Sequence, residues 1–228
     1  YTLYNNAMRS FVITIMDNEK SVEAADRCIA SGAKFGEVIE KFSAFTPKNM
    51  PLEILKANKV PSDGLVEKYS RSENCAAAFL SHFTLWQKCL ELNQPIMIFE
   101  HDAVQTDPIP EAIRAGWGFK QMMSMGKPSY GRFRVPQVLG SGPLTSKRYF
   151  PGAHAYAIKP AGARQIVQHA QVRGAAPTDV YLNLDNFPFL EELYPWTHEA
   201  QDYFTTIQNE LGCQAKHNYK EGYKIEQL

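Results

Sequence analysis

The run Gln94-Pro95-Ile96-Met97-Ile98-Phe99-Glu100-His101-Asp102 holds the residues of this chain best suited to do chemistry. Its apolar middle predicts a buried strand over 95–100. The strand ends in two carboxylates spaced one apart. Residues i and i+2 of an extended chain point to the same side, so Glu100 and Asp102 are expected to reach one hard divalent cation, with His101 facing away from it. Mg²⁺ and Mn²⁺ prefer oxygen ligands and commonly share them with a substrate diphosphate. A strand that ends abruptly in acids also delivers them to the edge of a sheet, where ligands of open α/β folds bind. An exposed strand end before a turn would show the same residues, and Asp107-Pro108 lies just beyond.

The elements that must position this strand end are readable around it. Residues 11–16 predict a first strand, followed by the polar loop Asp17-Asn18-Glu19-Lys20. A helix is expected over 21–31, with Ser21 as N-cap and Gly32 as its stop. A second strand is expected over 38–42 and a short helix over 51–58. Apolar residues at helical spacing predict a helix over 73–91, which Glu91-Leu92-Asn93 links to the acidic strand. A short helix over 110–119 opens with Pro110. Residues 124–149 are rich in Gly, Pro, Ser, Lys and Arg, which predicts a long irregular loop with one strand at 133–139. Long loops in compact domains often serve as lids, and this one is expected to close over a charged ligand. Helices over 160–172 and 178–185 follow, then an extended tail and a helix near 203–211. The early β-α-β-α-β alternation predicts an α/β fold with a mostly parallel sheet.

Several of these segments resemble one family when taken in order. They are the small-residue stretch Ala76-Ala77-Ala78, then Leu80-Ser81-His82, then Leu85-Trp86, then Glu100-His101-Asp102 at the strand end. Phe150-Pro151-Gly152-Ala153-His154-Ala155-Tyr156 and Pro177-Thr178-Asp179-Val180-Tyr181-Leu182 continue the pattern. The chain thereby resembles the glycosyltransferases that include bacterial lipooligosaccharide galactosyltransferases and collagen galactosyltransferases, over roughly residues 10 to 205. His101 stands where that family carries a middle acid. The resemblance implies a single Rossmann-like domain of GT-A type over 1–228, with the tail 194–228 packing on it or extending from it. It implies transfer of a hexose from a UDP-sugar, UDP-glucose or UDP-galactose, to a glycan or glycoconjugate, with inversion.

On this reading Asp102 and Glu100 hold Mn²⁺ or Mg²⁺. A histidine from a C-terminal segment serves as a further ligand in many enzymes of this fold, which points to His198, with His217 behind it. An imidazole suits Mn²⁺ better than Mg²⁺. Asp179 is the candidate general base, although an acid in the first turn of a helix also favours the helix dipole. The nucleotide sugar is expected against Ile15, Met16, Phe42 and Ser43, with Ser81, His82, His154 and Tyr156 near it. Ser81 and His82 are equally compatible with hydrogen-bonding roles that orient the site without touching the donor, and His154 and Tyr156 with ordinary strand packing. Lys147-Arg148, Arg132 and Arg134 form the local basic clusters, which read as a diphosphate clamp or as a solvated loop face.

Two other function classes share some of these features. A nucleotidyltransferase uses a similar pair of carboxylates, but needs a Gly-rich basic loop after the first strand, and Asp17-Asn18-Glu19-Lys20 has no glycine. A non-catalytic carbohydrate- or nucleotide-binding domain fits the loss of the middle acid. At 228 residues and zero formal net charge, the chain offers no global electrostatic case for nucleic acid or an anionic membrane. No apolar run approaches the ~20 residues of a membrane span, and no signal-like segment opens the sequence at Tyr1. Cys28, Cys75, Cys89 and Cys213 show no C-x-x-C spacing, so free thiols and a reducing, cytoplasmic setting are expected.

Overall fold

Strand β1 (Arg9–Thr14) leads into helix α1 (Glu19–Ala33), whose start differs from expectation. Asn18 is the N-cap, its side chain accepting from Ser21 N. The Ser21 hydroxyl is thereby left for other partners. It accepts from Ile15 N at 2.9 Å and contacts His101 Nδ1 at 2.7 Å. Gly32 does not stop the helix, which runs one residue further to a cap at Lys34. The computed structural model describes residues 8–65, 72–150, 152–201, 204–206 and 224–225.

Strand β2 (Ile39–Ser43), helix α2 (Pro51–Ala57) and the long helix α3 (Ser72–Leu92) follow, then β3 (Ile96–Glu100) and β4 (Ala103–Gln105). The helix expected over 110–119 is the single turn α4 (Glu111–Arg114). Beyond it lie β5 (Met122–Ser124), β6 (Gly140–Pro143), β7 (Ala155–Ile158), α5 (Pro160–Arg173), α6 (Thr178–Tyr181), β8 (Glu191–Tyr194) and β9 (His198–Ala200). A last short pair joins β10 (Phe204–Thr205) to β11 (Lys224–Ile225). The helix expected near 203–211 is contradicted at 204–205, and the rest of that segment lies outside the described residues.

Seven strands form one sheet in the order β2-β1-β3-β7-β5-β8-β6. β1, β2, β3, β5 and β8 run one way and β7 and β6 the other, so the sheet is mostly parallel. Helices cover both faces, which is why β3 reads as an unbroken apolar run. Its alternate residues divide between two cores. Ile96 and Ile98 join Phe11, Ile13 and the α3 side chains Phe79, Phe83 and Trp86. Met97 and Phe99 join Val12 and the α1 side chains Ala25 and Cys28. By the same alternation Glu100 continues the α3 face and His101 the α1 face.

The segment 124–149 departs from its expected form. No strand forms at 133–139, where Val135, Val138 and Leu139 are exposed; the strand lies at Gly140–Pro143 instead, paired antiparallel with β8. Its return is fastened by Glu192, a buried carboxylate that accepts from Thr145 N, Thr145 Oγ1 and Ser146 N. The helix expected over 178–185 ends at Tyr181. Cys28, Cys75 and Cys89 are buried, and Cys213 lies outside the described residues. Among the described residues no helix is long and apolar enough to cross a membrane.

Candidate functional site

At the carboxyl end of β3 the Glu100 carboxylate is fixed by a chain of buried groups. Helix α3 is buried along most of its length, so its polar side chains require internal partners. Trp86 Nε1 donates to the Tyr156 hydroxyl at 2.9 Å, Tyr156 contacts His82 Nδ1 at 2.7 Å, and His82 Nε2 meets Glu100 Oε1 at 3.1 Å. Proton counting fixes the direction. The indole can only donate, so the Tyr156 oxygen accepts there and gives its own proton to Nδ1. The single proton of a neutral imidazole then sits on Nε2 and points at Glu100. His82 is neutral because burial lowers its pKa to about 3, against a smaller upward pull from Asp179. Its contact with Glu100 is therefore a hydrogen bond to a carboxylate and carries no imidazolium charge. Burial also raises the Tyr156 phenol well above its ordinary value, so it remains a proton donor.

The two carboxylates of the strand end stand in different backbone settings, so the i, i+2 rule does not by itself put them on a shared side. The chain turns at His101 and Asp102 before β4 begins, and the i, i+2 rule ends with the extended backbone. Glu100 is tied to α3. The Asp102 charge reaches α1, where it adds to the larger effect of burial in raising Cys28 to about 12. The Asp102 backbone oxygen accepts from Gln201 N at 2.8 Å. His101 does face the other side, against Ser21.

Asp179 lies in the first turn of α6, and its charge reaches His82. Its Oδ2 accepts from the Tyr130 hydroxyl at 2.5 Å and its Oδ1 from Val180 N at 2.9 Å. Burial, reinforced by the Asp179 charge, pushes the Tyr130 phenol up, so the proton stays on the phenol oxygen. Lys147 Nζ lies over the rings of Tyr130 and Tyr149, 4.7 and 5.2 Å from their centres. Nothing in the spacing of residues 130 and 179 announces this pairing, because it is made wholly by tertiary folding.

The expected nucleotide residues fall into two groups. Ile15, Met16, Phe42 and Ser43 lie at or just beyond the carboxyl ends of the adjacent strands β1 and β2, which pair Thr14 with Ser43. Met16 is 53% exposed, so this edge is open to a ligand. The Asp17–Lys48 ion pair at 2.7 Å stands beside it. Ser81, His82, His154 and Tyr156 are buried and offer no surface for direct contact. Ser81 accepts from Phe45 N at 2.9 Å and donates to Ala77 O, holding the loop that leaves β2. His154 packs on Gly126, where a Cβ would press on its ring.

His198 is 1% exposed. Its ring lies 5.0 Å from that of Phe99 and its Nδ1 meets Thr197 Oγ1 at 2.9 Å. Burial and the neighbouring His154 lower its pKa to about 3. Among the described residues no hydrogen bond or ion pair joins it to a carboxylate. No three His, Cys, Asp or Glu side chains among the described residues converge as a metal cluster. The donors present at the sheet edge are two carboxylates, Glu100 and Asp102. Such a pair suits a hard cation that takes most of its ligands from phosphate and water. His217 lies outside the described residues.

Residues 11–115 match the family model described as Glycosyltransferase family 25 (LPS biosynthesis protein). The matched stretch contains most of β1 and all of α1, β2, α3 and β3, with Ser81, His82, Glu100 and Asp102 inside it. No curated protein matches the chain.

Proposed function

We propose that this chain, whose residues 11–115 match a glycosyltransferase family model, is a glycosyltransferase that moves a hexose from a UDP-sugar to a hydroxyl of a glycan or glycoconjugate with inversion. The observation that carries the reading is Glu100 at the carboxyl end of β3, oriented by neutral His82, with the charge of Asp179, itself hydrogen-bonded by Tyr130, reaching that histidine. UDP would lie along the open edge formed by Ile15, Met16, Phe42 and Ser43. Glu100 and Asp102 would hold Mn²⁺ or Mg²⁺ with the diphosphate. When bound, the cation would supply Lewis-acid stabilisation of the departing nucleoside diphosphate.

The chain's own residues account for the remaining steps. His82 keeps one Glu100 oxygen engaged by a neutral donor, so the carboxylate retains its charge. Asp179, ionised with Tyr130 donating to it, takes the acceptor hydroxyl proton as that oxygen attacks the anomeric carbon. The bond from that carbon to the diphosphate oxygen breaks as the new one forms, through a transition state of oxocarbenium character. The negative charge of Asp179 faces the positive charge that develops on the sugar.

Calorimetry with UDP, with and without Mn²⁺, is the first test, followed by UDP release across a panel of nucleotide sugars. Asp102→Asn keeps the shape of the side chain and removes its charge, so metal-dependent UDP binding should be lost while the fold persists. Unchanged UDP–Mn²⁺ affinity in this variant would remove Asp102 from the site. Absence of metal-dependent UDP binding in the unmodified chain would favour a non-catalytic binding domain.

A further inference from the structure

The net charge of zero conceals a strong segregation. From residue 112 to residue 178 the chain has no Asp or Glu, but has Arg114, Lys120, Lys127, Arg132, Arg134, Lys147, Arg148, Lys159, Arg164 and Arg173. Four of these ten line a single surface cavity of about 410 Å³, together with Phe133, Ser146 and Tyr149. The four are Arg132, Arg134, Lys147 and Arg148. A volume of this order falls in the range of small-molecule sites.

The cavity's cations are only partly neutralised by the protein. Arg148 pairs with Asp185 at 2.6 Å, and both side chains are largely exposed, so that pairing is weak. The side chains of Arg132 and Arg134 make no hydrogen bond or ion pair with any described residue. The backbone at Arg134 is held: Arg134 N donates to Ser146 O at 3.0 Å, and Ser146 N is fastened to Glu192. Two guanidinium groups lining one cavity, one of them on a held backbone and with no carboxylate among the described residues to answer them, match a planar or tetrahedral oxyanion. The aromatic faces of Phe133 and Tyr149 suit the apolar face of a sugar ring.

The position of the cavity decides which substrate it serves. Lys147 belongs to its wall and also lies over the Tyr130 ring, whose hydroxyl donates to Asp179. The basic cavity therefore adjoins the candidate base. We propose that it binds the acceptor, and that the acceptor is an acidic glycan, with a phosphate or carboxylate within about one sugar of the hydroxyl that is glycosylated. The proposal rests on the glycosyltransferase reading for the word acceptor. The binding of an anionic sugar does not depend on turnover.

The test uses calorimetry at low salt on the full chain without nucleotide, with glucose 6-phosphate, glucuronic acid and glucose as probes. At least one anionic sugar should bind at least tenfold tighter than glucose; the tighter of the two identifies phosphate or carboxylate as the recognised group. Replacing Arg132 and Arg134 together by alanine should weaken that binding tenfold or more. Both side chains are exposed, so the unfolding midpoint should not move, whereas Arg164→Ala, outside the cavity, should leave affinity unchanged. Equal binding of all three sugars would overturn the proposal. So would displacement of glucose 6-phosphate by UDP, which would give the cavity to the donor diphosphate, or binding of inorganic phosphate as tight as that of the best anionic sugar. Binding to phosphatidylglycerol vesicles that the double variant abolishes, without sugar binding, would make the patch a membrane-facing surface and overturn it as well. Loss of UDP–Mn²⁺ binding is read separately and bears on the donor reading alone.

Discussion

Asp179 and Tyr130 form a hydrogen bond between a protonated phenol and a carboxylate. Burial first, and then the Asp179 charge, keeps the proton on Tyr130, and a hydrogen-bond donor of this kind favours the charged form of a carboxylate. Asp179→Asn should therefore leave UDP–Mn²⁺ affinity in place and lower turnover by roughly 10²–10⁴-fold, the usual weight of a general base. Tyr130→Phe should be milder, because it removes a donor and leaves the base. Calorimetry and initial rates on both variants check this. Equal loss of affinity and turnover in Asp179→Asn would reassign the residue to donor binding or to structure. His101 illustrates the reverse case, a chemically able side chain directed elsewhere. It faces Ser21 on the α1 side, so its place between two acids adds no third carboxylate to the strand end.

At the scale of elements, the approach of β5 to β7 depends on a missing side chain. Gly126 follows β5, bridges to His198, and lies against the ring of His154, just before β7. A Cβ there would sit 2.8 Å from His154 Cε1 and closer still to Nε2. Gly126→Ala should cost about 1–3 kcal/mol, the usual penalty of overpacking a filled site. Adding His154→Ala should recover much of that loss, since it removes the atoms that clash. Urea unfolding of the single and double variants measures both effects. No recovery in the double variant would show that the glycine is needed for its backbone alone.

For the whole molecule, the buried neutral imidazoles dictate a dependence of stability on pH. His82 and His198 have pKa values lowered to about 3 in the folded chain, chiefly by burial, against an ordinary value of about 6.5 when unfolded. Between these values the unfolded chain binds protons that the folded chain refuses. The stabilisation is present in full above the unfolded value and is lost as pH falls toward 3. The slope should approach about 1.4 kcal/mol per pH unit for each histidine. Urea unfolding at pH 7, 6, 5 and 4 should thus show falling stability, and His82→Gln should remove about half of the two histidines' joint contribution to the slope. A flat stability from pH 7 to 4 would mean that neither imidazole is held neutral by burial.

Periodicity alone located β1, α3, β3 and α5 to within about two residues, because each carries apolar side chains at a repeat that burial on one or both faces requires. The acidic end of β3 and the order of the surrounding motifs were equally visible. Local pattern could not say what lay across the sheet. It placed the cap of α1 at Ser21, where the tertiary contact with His101 instead occupies that hydroxyl. It put Glu100 and Asp102 on one side of an extended strand, when the chain turns after Glu100 and α3 claims that residue. It placed a strand at 133–139, where apolar residues face solvent, because edge pairing with β8 selected the glycine-rich 140–143 instead. The contacts from Trp86 to Tyr156, Gly126 to His154 and Tyr130 to Asp179 span 70, 28 and 49 residues of sequence. A hydrogen bond is set by distance and direction in space, and those are fixed only when the sheet closes the separation between its partners.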